Sequence, residues 1–174
     1  MFCVADIIEA ATAADNQVGC SQAVIGEPNS VEEKSNVDVQ QTLSPSGLGR
    51  EQFRRLTDCA DQAASLSHDD LRGMVGKHVE LARDVARGQA LVNVRLAEAL
   101  EDSIARVMAD WQTLPAIARP WLEGAVLYFV MSADSEPDFS SAIGFEDDAH
   151  VWNACLKLAR RDDLCVRPED FDDV

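Results

Sequence analysis

An almost unbroken apolar run, from Trp121 to Met131, constrains the fold of this chain more than any other feature. Only Glu123 and Gly124 interrupt it, so nearly the whole circumference of the segment must be covered by other parts of the protein. Its eleven residues are too few to cross a bilayer, which takes roughly 20 residues of helix. The run therefore predicts a central, buried helix, with Pro120 either in its first turn or kinking it.

Apolar residues also recur at intervals of three and four from about residue 48 onward, the spacing of one face of an α-helix. The predicted helices cover residues 48–66, 67–88, 92–111, 116–133 and 145–161. Ser67, followed by acids in the first turn, is a good N-cap for the second of them. Since no segment alternates convincingly as a strand would, we predict an all-α fold, a single-domain bundle of five to six helices.

The two ends of the chain differ in composition from this helical part. Residues 2–14 are predicted to form a short amphipathic helix, and residues 16–47, rich in Asn, Gln, Ser, Pro and Gly, a long polar loop. The C-terminal sequence VRPEDFDDV predicts an acidic, frayed tail. The predicted organisation is an N-terminal region, a helical domain and a tail, over residues 1–47, 48–165 and 166–174.

The charge of the chain is strongly negative and uneven. Fifteen Lys and Arg stand against 31 Asp and Glu, a formal net charge of −16. Residues 1–47 carry −6, residues 48–112 only −2, and residues 113–174 carry −8. A protein that binds the nucleic-acid backbone needs a basic face, so this balance argues against one and favours basic protein partners or bound cations.

The five cysteines are scattered, without a CxxC pair or a Cys/His spacing that suits zinc. Cys59 and Cys155 fall within helical apolar patterns and are predicted to be small core residues. The odd cysteine count, and a start that contains three acids and no basic region, favour a reducing cytoplasm over secretion.

Histidines and tryptophans form no legible catalytic arrangement in the sequence. We interpret His78 as a hydrogen-bonded core histidine, His68 as an exposed first-turn residue and His150 as a surface or capping residue. Trp111, Trp121 and Trp152 are more typical of core filling than of a ligand site.

Six carboxylates fall within fifteen positions after the central helix: Asp134, Glu136, Asp138, Glu146, Asp147 and Asp148. The chain turns at Pro137 and again at Gly144, and the last three acids open the next helix. In one interpretation the acids act as caps and first-turn charges, each stabilised by about 0.3–1 kcal/mol from the helix dipole, and set the angle between two helices. In the other, they bind a cation.

The spacing of Tyr128, Asp134, Pro137-Asp138-Phe139, Gly144 and Asp147-Asp148 resembles the signature of the YkvA-like family, over residues 115–162. Members of this family are small helical bacterial domains of unknown function, so the resemblance implies a helical fold and no established reaction. Many members look membrane-associated, with apolar residues on both sides of the Pro-Asp-Phe step. This chain has Ser135-Glu136 and Ser140-Ser141 there, which favours a soluble version.

Two functions follow as hypotheses. The first is a non-enzymatic interaction or regulatory module, comparable to small inhibitor or immunity proteins, with a protein partner that is basic. The second is a divalent-cation-binding protein or metal-dependent hydrolase. Mg²⁺ or Ca²⁺ suits all-oxygen ligands, which would be the carboxylates of Asp134, Asp138, Asp147 and Asp148. In either case Tyr128, Pro137, Phe139 and Gly144 are predicted to have structural roles.

Overall fold

The computed structural model describes residues 43–88, 92–131 and 143–171. These residues belong to one compact unit, and their regular secondary structure is entirely helical, which confirms the all-α prediction. The five α-helices are α1 (Arg50–Ala63), α2 (His68–Ala86), α3 (Val94–Ala109), α4 (Arg119–Val130) and α5 (Glu146–Leu158). Short 3-10 helices cover Trp111–Thr113, Asp162–Leu164 and Pro168–Phe171. The predicted helix at residues 2–14 and loop at residues 16–47 lie outside the described residues.

Helix α4 is the central helix that the apolar run predicts. It packs against α1, α5 and α2, and every residue from Gly124 to Phe129 is buried. Pro120 lies in its first turn, where no intrahelical N–H is needed, so it begins the helix rather than kinking it. No helix within the described ranges is long and apolar enough to span a membrane.

A glycine sets the distance between α1 and α4. A Cβ atom added to Gly124 would lie 2.8 Å from the Cβ of Ala60 and 2.9 Å from its backbone N and Cα. Backbone atoms of a helix cannot move aside as a flexible side chain can. The two helices therefore approach this closely only because position 124 has no side chain.

Helix α2 begins as its sequence predicts. The Ser67 hydroxyl accepts a hydrogen bond from the Asp70 N–H at 3.1 Å, and the Ser67 N–H donates to the Asp70 carboxylate at 3.2 Å. This reciprocal pair satisfies backbone donors that a helix end otherwise leaves free. On the other side of α2, His78 is buried with its ring edge-on to Phe129, at 4.9 Å between centroids, as predicted for a core histidine.

Other side chains of the core agree with the sequence analysis, with two exceptions. Trp121, predicted to fill the core, is only partly buried and packs against its edge. Cys59, Cys155, Trp111 and Trp152 are buried. His68, predicted to be exposed, is partly buried: its ring meets Trp111 edge-on at 4.4 Å and its Nε2 lies 3.1 Å from a Glu123 carboxylate oxygen. The first turn of α2 lies against α4, a long-range contact that the local sequence around His68 does not encode.

The end of the chain also differs from its prediction. A frayed tail was expected from residue 166, but the backbone lies against the helices as far as Phe171. We call residues 162–171 the C-terminal arm. Val166 is buried, and the Phe171 carbonyl accepts a hydrogen bond from Asn93 at 3.2 Å. Apolar side chains between the acids hold the arm in place, and composition alone conceals this.

Candidate functional site

The predicted site residues divide between described and undescribed parts of the chain. Outside the described residues lie Asp134, Pro137, Asp138 and Phe139. Within them lie Tyr128, Gly144, Asp147 and Asp148. The structure therefore places the start and the end of the signature and not its middle.

Tyr128 and Asp147 are in direct contact. Tyr128 lies in the last turn of α4, with its side chain only 1% exposed, and Asp147 is the second residue of α5. The Tyr128 hydroxyl donates a hydrogen bond to Oδ2 of Asp147. This bond joins the central helix to the helix that follows it. A hydrogen bond to a carboxylate is among the stronger kinds in proteins.

Gln52 on α1 is the second donor to this carboxylate. Its Nε2 donates to Oδ1 of Asp147, while its Oε1 accepts the Gly49 N–H at 2.7 Å. An N–H can only donate, so the amide oxygen must face Gly49 and the amide nitrogen must face Asp147. One side chain thus caps α1 and ties it to α5. We call Gln52, Tyr128 and Asp147 the acidic junction, together with Arg55 of α1, whose guanidinium lies over the Tyr128 ring.

The electrostatics of the acidic junction keep the tyrosine protonated. Burial raises the pKa of Tyr128 most; its hydrogen bond to Asp147, the charge of Asp147 and that of Asp148 raise it further. The Arg55 guanidinium, 4.7 Å from the centre of the ring, acts in the opposite direction on this pKa and is outweighed. Tyr128 is therefore a hydrogen-bond donor at neutral pH and not a general base.

Three acids open α5, as the sequence predicts. Glu146, Asp147 and Asp148 occupy the first turn, and the N-cap residue Phe145 supplies no side-chain hydrogen bond. Negative charges there interact favourably with the exposed N–H groups of the helix end. Asp148 is only 2% exposed, so it belongs to the interior and not to the solvated surface. Gly144, just before the helix, is also buried.

Both oxygens of Asp147 are thus engaged by protein donors, which is what the helix-angle interpretation of the acids requires. Within the described ranges, no three His, Cys, Asp or Glu side chains lie close enough together to hold a metal ion. The four-carboxylate site includes Asp134 and Asp138, which are outside those ranges. The Mg²⁺ or Ca²⁺ site therefore stays a prediction.

His150 lies one turn into α5, and its side chain is exposed, as predicted for a surface or capping residue. Its Nε2 is 3.0 Å from the carbonyl oxygen of Gly47, in the segment that leads into α1. Since a carbonyl only accepts, Nε2 must carry the proton and donate. Gly47 has φ +87, a conformation that favours glycine. The histidine therefore holds a turn in place.

Sequence reasoning missed two members of the acidic junction, Gln52 and Arg55. The spacing from Gly49 to Gln52 is a capping pattern, so one of the two Gln52 hydrogen bonds had a local signal. The other joins residues 95 positions apart and has none. Arg55 reads as an ordinary polar residue of an amphipathic helix until the ring of Tyr128 is placed beneath it.

Comparison of the chain with models of protein families, with curated proteins and with solved structures finds no match. The described residues nevertheless have a distinctive arrangement. It is an all-α helical bundle in which a buried tyrosine-to-aspartate contact joins the central helix to the next one, and a glutamine from the first helix shares the same carboxylate.

Proposed function

We propose that this chain is a non-enzymatic interaction module, of the inhibitor or immunity kind, that binds a basic protein partner. The observation that carries the proposal is the engagement of Asp147 by Tyr128 and Gln52. This carboxylate accepts hydrogen bonds from two other helices and so joins them to α5. A reactive carboxylate would need a free oxygen directed at a substrate.

The charge distribution supports a basic partner. The formal charge of −16 is concentrated in the first 47 residues and in the part after residue 112, while residues 48–112 are nearly balanced. Clustered charge of one sign accelerates encounter with a partner of the opposite sign and makes binding sensitive to salt. In the C-terminal arm, Asp162, Glu169 and Asp170 are exposed.

A cytoplasmic location is part of the same proposal. The three described cysteines, Cys59, Cys155 and Cys165, are free thiols. Free thiols are typical of a reducing compartment. Fractionation of the native cells, with thiol labelling of the intact protein, tests this: disulfide-linked Cys59 or Cys155 in the isolated protein would contradict it.

We also infer that residues 115–162 are a YkvA-like core. The inference is supported by the contact between Tyr128 and Asp147, which are 19 residues apart and are the two ends of the shared spacing. A signature that preserves both ends would preserve the contact between them. The structure of a family member tests this: we expect the same tyrosine-to-aspartate hydrogen bond, and a tyrosine directed elsewhere would contradict the inference.

The interaction hypothesis is tested by affinity capture with matched variants. In one variant, exposed acids of the arm are neutralised: Asp162→Asn, Glu169→Gln and Asp170→Asn. In the control, the same number of exposed acids is neutralised in the balanced part: Asp58→Asn, Glu80→Gln and Asp84→Asn. We expect a basic protein that binds wild type and the control, binds the arm variant more weakly, and dissociates as salt rises. An affinity that is unchanged both by salt and by the arm substitutions would count against the proposal.

The cation hypothesis makes a different prediction for the same protein. A site at Asp134, Asp138, Asp147 and Asp148 predicts that millimolar Mg²⁺ or Ca²⁺ raises the Tm and that Asp138→Asn abolishes the rise. On the proposal made here, Asp147 already has its partners, and we expect no rise. A cation-dependent Tm that Asp138→Asn removes would therefore favour the metal site over the interaction module.

A further inference from the structure

The C-terminal arm is held on the helices by side chains that contact its backbone. Ser103 Oγ donates to the Leu164 carbonyl at 2.8 Å. The Asn153 amide makes a pair of bonds with one arm residue: Nδ2 donates to the Val166 carbonyl at 2.6 Å, and Oδ1 accepts the Val166 N–H at 2.9 Å. These hydrogen bonds fix the position of the arm's backbone and do not depend on which side chains the arm carries.

The backbone of the arm bonds only locally. Its backbone–backbone hydrogen bonds, those of the Leu164, Cys165 and Asp170 N–H groups, go to carbonyls three residues earlier. Within the described part of the chain, no such bond joins the arm to α1–α5. The arm is therefore attached in the way that a bound peptide is attached, through side chains of the receiving surface.

The arm's own side chains complete this likeness. Leu164 and Val166 are buried, and Cys165 between them is only partly buried and has an extended backbone, with φ −61 and ψ 133. Successive side chains of an extended segment project to opposite sides. Two buried apolar side chains, combined with hydrogen bonds to the backbone between them, are a way in which a protein surface recognises a peptide segment.

The contact between the arm and α3 is incomplete. A cavity of about 210 Å³ lies between them, lined on one side by α3 and on the other by residues 163–166. The α3 residues that line it are Ala99, Asp102, Ser103 and Arg106. This space is open to solvent on one side. The arm also packs on α3 and α5 much less extensively than α1 packs on α4, so it is held by fewer contacts than a helix of the core.

We propose that the C-terminal arm is a releasable strap, bound to its own chain like a peptide ligand, which leaves its groove while the five helices stay folded. The vacated groove accepts a segment of a partner protein that, like residues 164–166, carries two apolar residues on either side of one extended residue. This goes beyond the proposed function, because release of the arm can be measured with no partner present.

Three cysteines make the test internal to the full-length chain. Cys165 reports on the arm, whereas Cys59 in α1 and Cys155 in α5 are buried and report on the helices. The intact protein is labelled with a thiol reagent over a range of urea below the unfolding transition, at one pH, and each cysteine is quantified by peptide mass spectrometry. Because Cys165 is partly exposed while the arm is bound, its rate in wild type is the reference, and release is measured as acceleration above that rate. We expect Cys59 and Cys155 labelling to rise steeply with urea.

A variant tests the anchor. Asn153→Ala removes both bonds to Val166 and keeps a good helix former in α5, and we expect Cys165 to label about tenfold faster with Cys155 unchanged. Gln112→Ala, which alters an exposed amide elsewhere, is the control and should change neither rate. An equal acceleration of Cys59, Cys155 and Cys165 in Asn153→Ala would mean that the arm opens only with the whole molecule, and would overturn the proposal.

The groove is tested with a peptide in wild type and in Asn153→Ala. A synthetic peptide copying residues 161–171, carrying Cys165→Ser, binds the vacated groove and holds the arm off. It should therefore accelerate Cys165 labelling in proportion to its concentration. The same peptide with Leu164→Asp and Val166→Asp should have no effect. Cys165 labelling that is no faster in Asn153→Ala than in wild type overturns the strap, and the absence of any acceleration by the first peptide overturns the groove.

Discussion

At the scale of single residues, the acidic junction shows how one of three consecutive acids can have both carboxylate oxygens hydrogen-bonded. Asp147 follows Glu146 and precedes Asp148, so the local sequence favours mutual repulsion there. In the structure its carboxylate accepts hydrogen bonds from Tyr128 on α4 and Gln52 on α1. The next acid, Asp148, is buried. A charge with two donors stabilises the contact between helices, whereas the same charge unpaired would weaken it.

Removing the tyrosine hydroxyl tests this contact directly. Tyr128→Phe keeps the buried ring and leaves Asp147 with one donor, so we expect the free energy of unfolding to fall by about 1–3 kcal/mol. Urea denaturation measures it. A double-mutant cycle with Asp147→Asn isolates the pair, and a coupling energy near zero would contradict the hydrogen bond.

The glutamine can be tested by adding charge with little change in shape. Gln52→Glu still accepts the Gly49 N–H but brings a second carboxylate against Asp147, and we expect a loss of about 1–4 kcal/mol at low salt. Gln112→Glu, at an exposed position, is the control and should lie within about 0.5 kcal/mol of wild type. Thermal denaturation gives both values. Adding Asp147→Asn should relieve most of the loss; a loss that persists would locate its cause outside the junction.

At the scale of helices, the fold depends on α4 being covered from several sides. Helices α1, α2 and α5 all pack on it, and α1 comes closest because Gly124 faces Ala60. The apolar run encodes the need for cover but not which helices provide it. The position of one glycine then decides how near α1 can lie.

A pair of glycine substitutions separates this packing effect from helix propensity. In Gly124→Ala the new Cβ meets the α1 backbone, and we expect destabilisation of about 1–3 kcal/mol. In Gly73→Ala, on exposed α2 surface with nothing within 4 Å of the new Cβ, we expect stabilisation of roughly 0.5–1 kcal/mol. Urea denaturation compares the two. If both substitutions stabilise the protein, α1 and α4 do not approach as described.

At the scale of the whole molecule, buried groups that stay protonated make the free energy of unfolding depend on pH in the alkaline range. Burial raises the pKa of Cys59 to about 11 from 9.0, and it raises the pKa values of Cys155 and Tyr128 as well. A raised pKa means that the folded state keeps a proton that the unfolded chain loses. The stabilisation is complete below the ordinary values, 9.0 for cysteine and 10.0 for tyrosine, and is lost as pH rises above them.

We therefore expect the free energy of unfolding to be constant from neutral pH to about pH 9 and to fall progressively above it. Tyr128 is the only tyrosine in the chain, so tyrosinate absorbance reports on this one residue. It should appear together with loss of helical circular dichroism. Tyrosinate that forms in the folded protein with a midpoint near 10 would show that Tyr128 is not buried against Asp147.

Much of the helical framework could be predicted because its signals are local. The spacing of apolar residues gives the helices, Ser67 gives the start of α2, and Pro120 gives the start of α4. The ends of the acidic signature are local too, since Tyr128 closes one helix and the acids open the next. Composition misled at the C-terminus, where Val166 is buried and Phe171 is half-buried among acids that suggest a frayed tail.

The sequence by itself determined the all-α class, the central position of α4 and the acidic first turn of α5, since each depends on residues within one or two turns of one another. Only the tertiary structure decided that Gln52 meets Asp147, that α1 lies against Gly124, and that the arm is bound by Asn153. These contacts join distant parts of the chain. Many polar residues on the helices could have made equivalent bonds, so the choice between them depends on how the helices pack and not on local sequence.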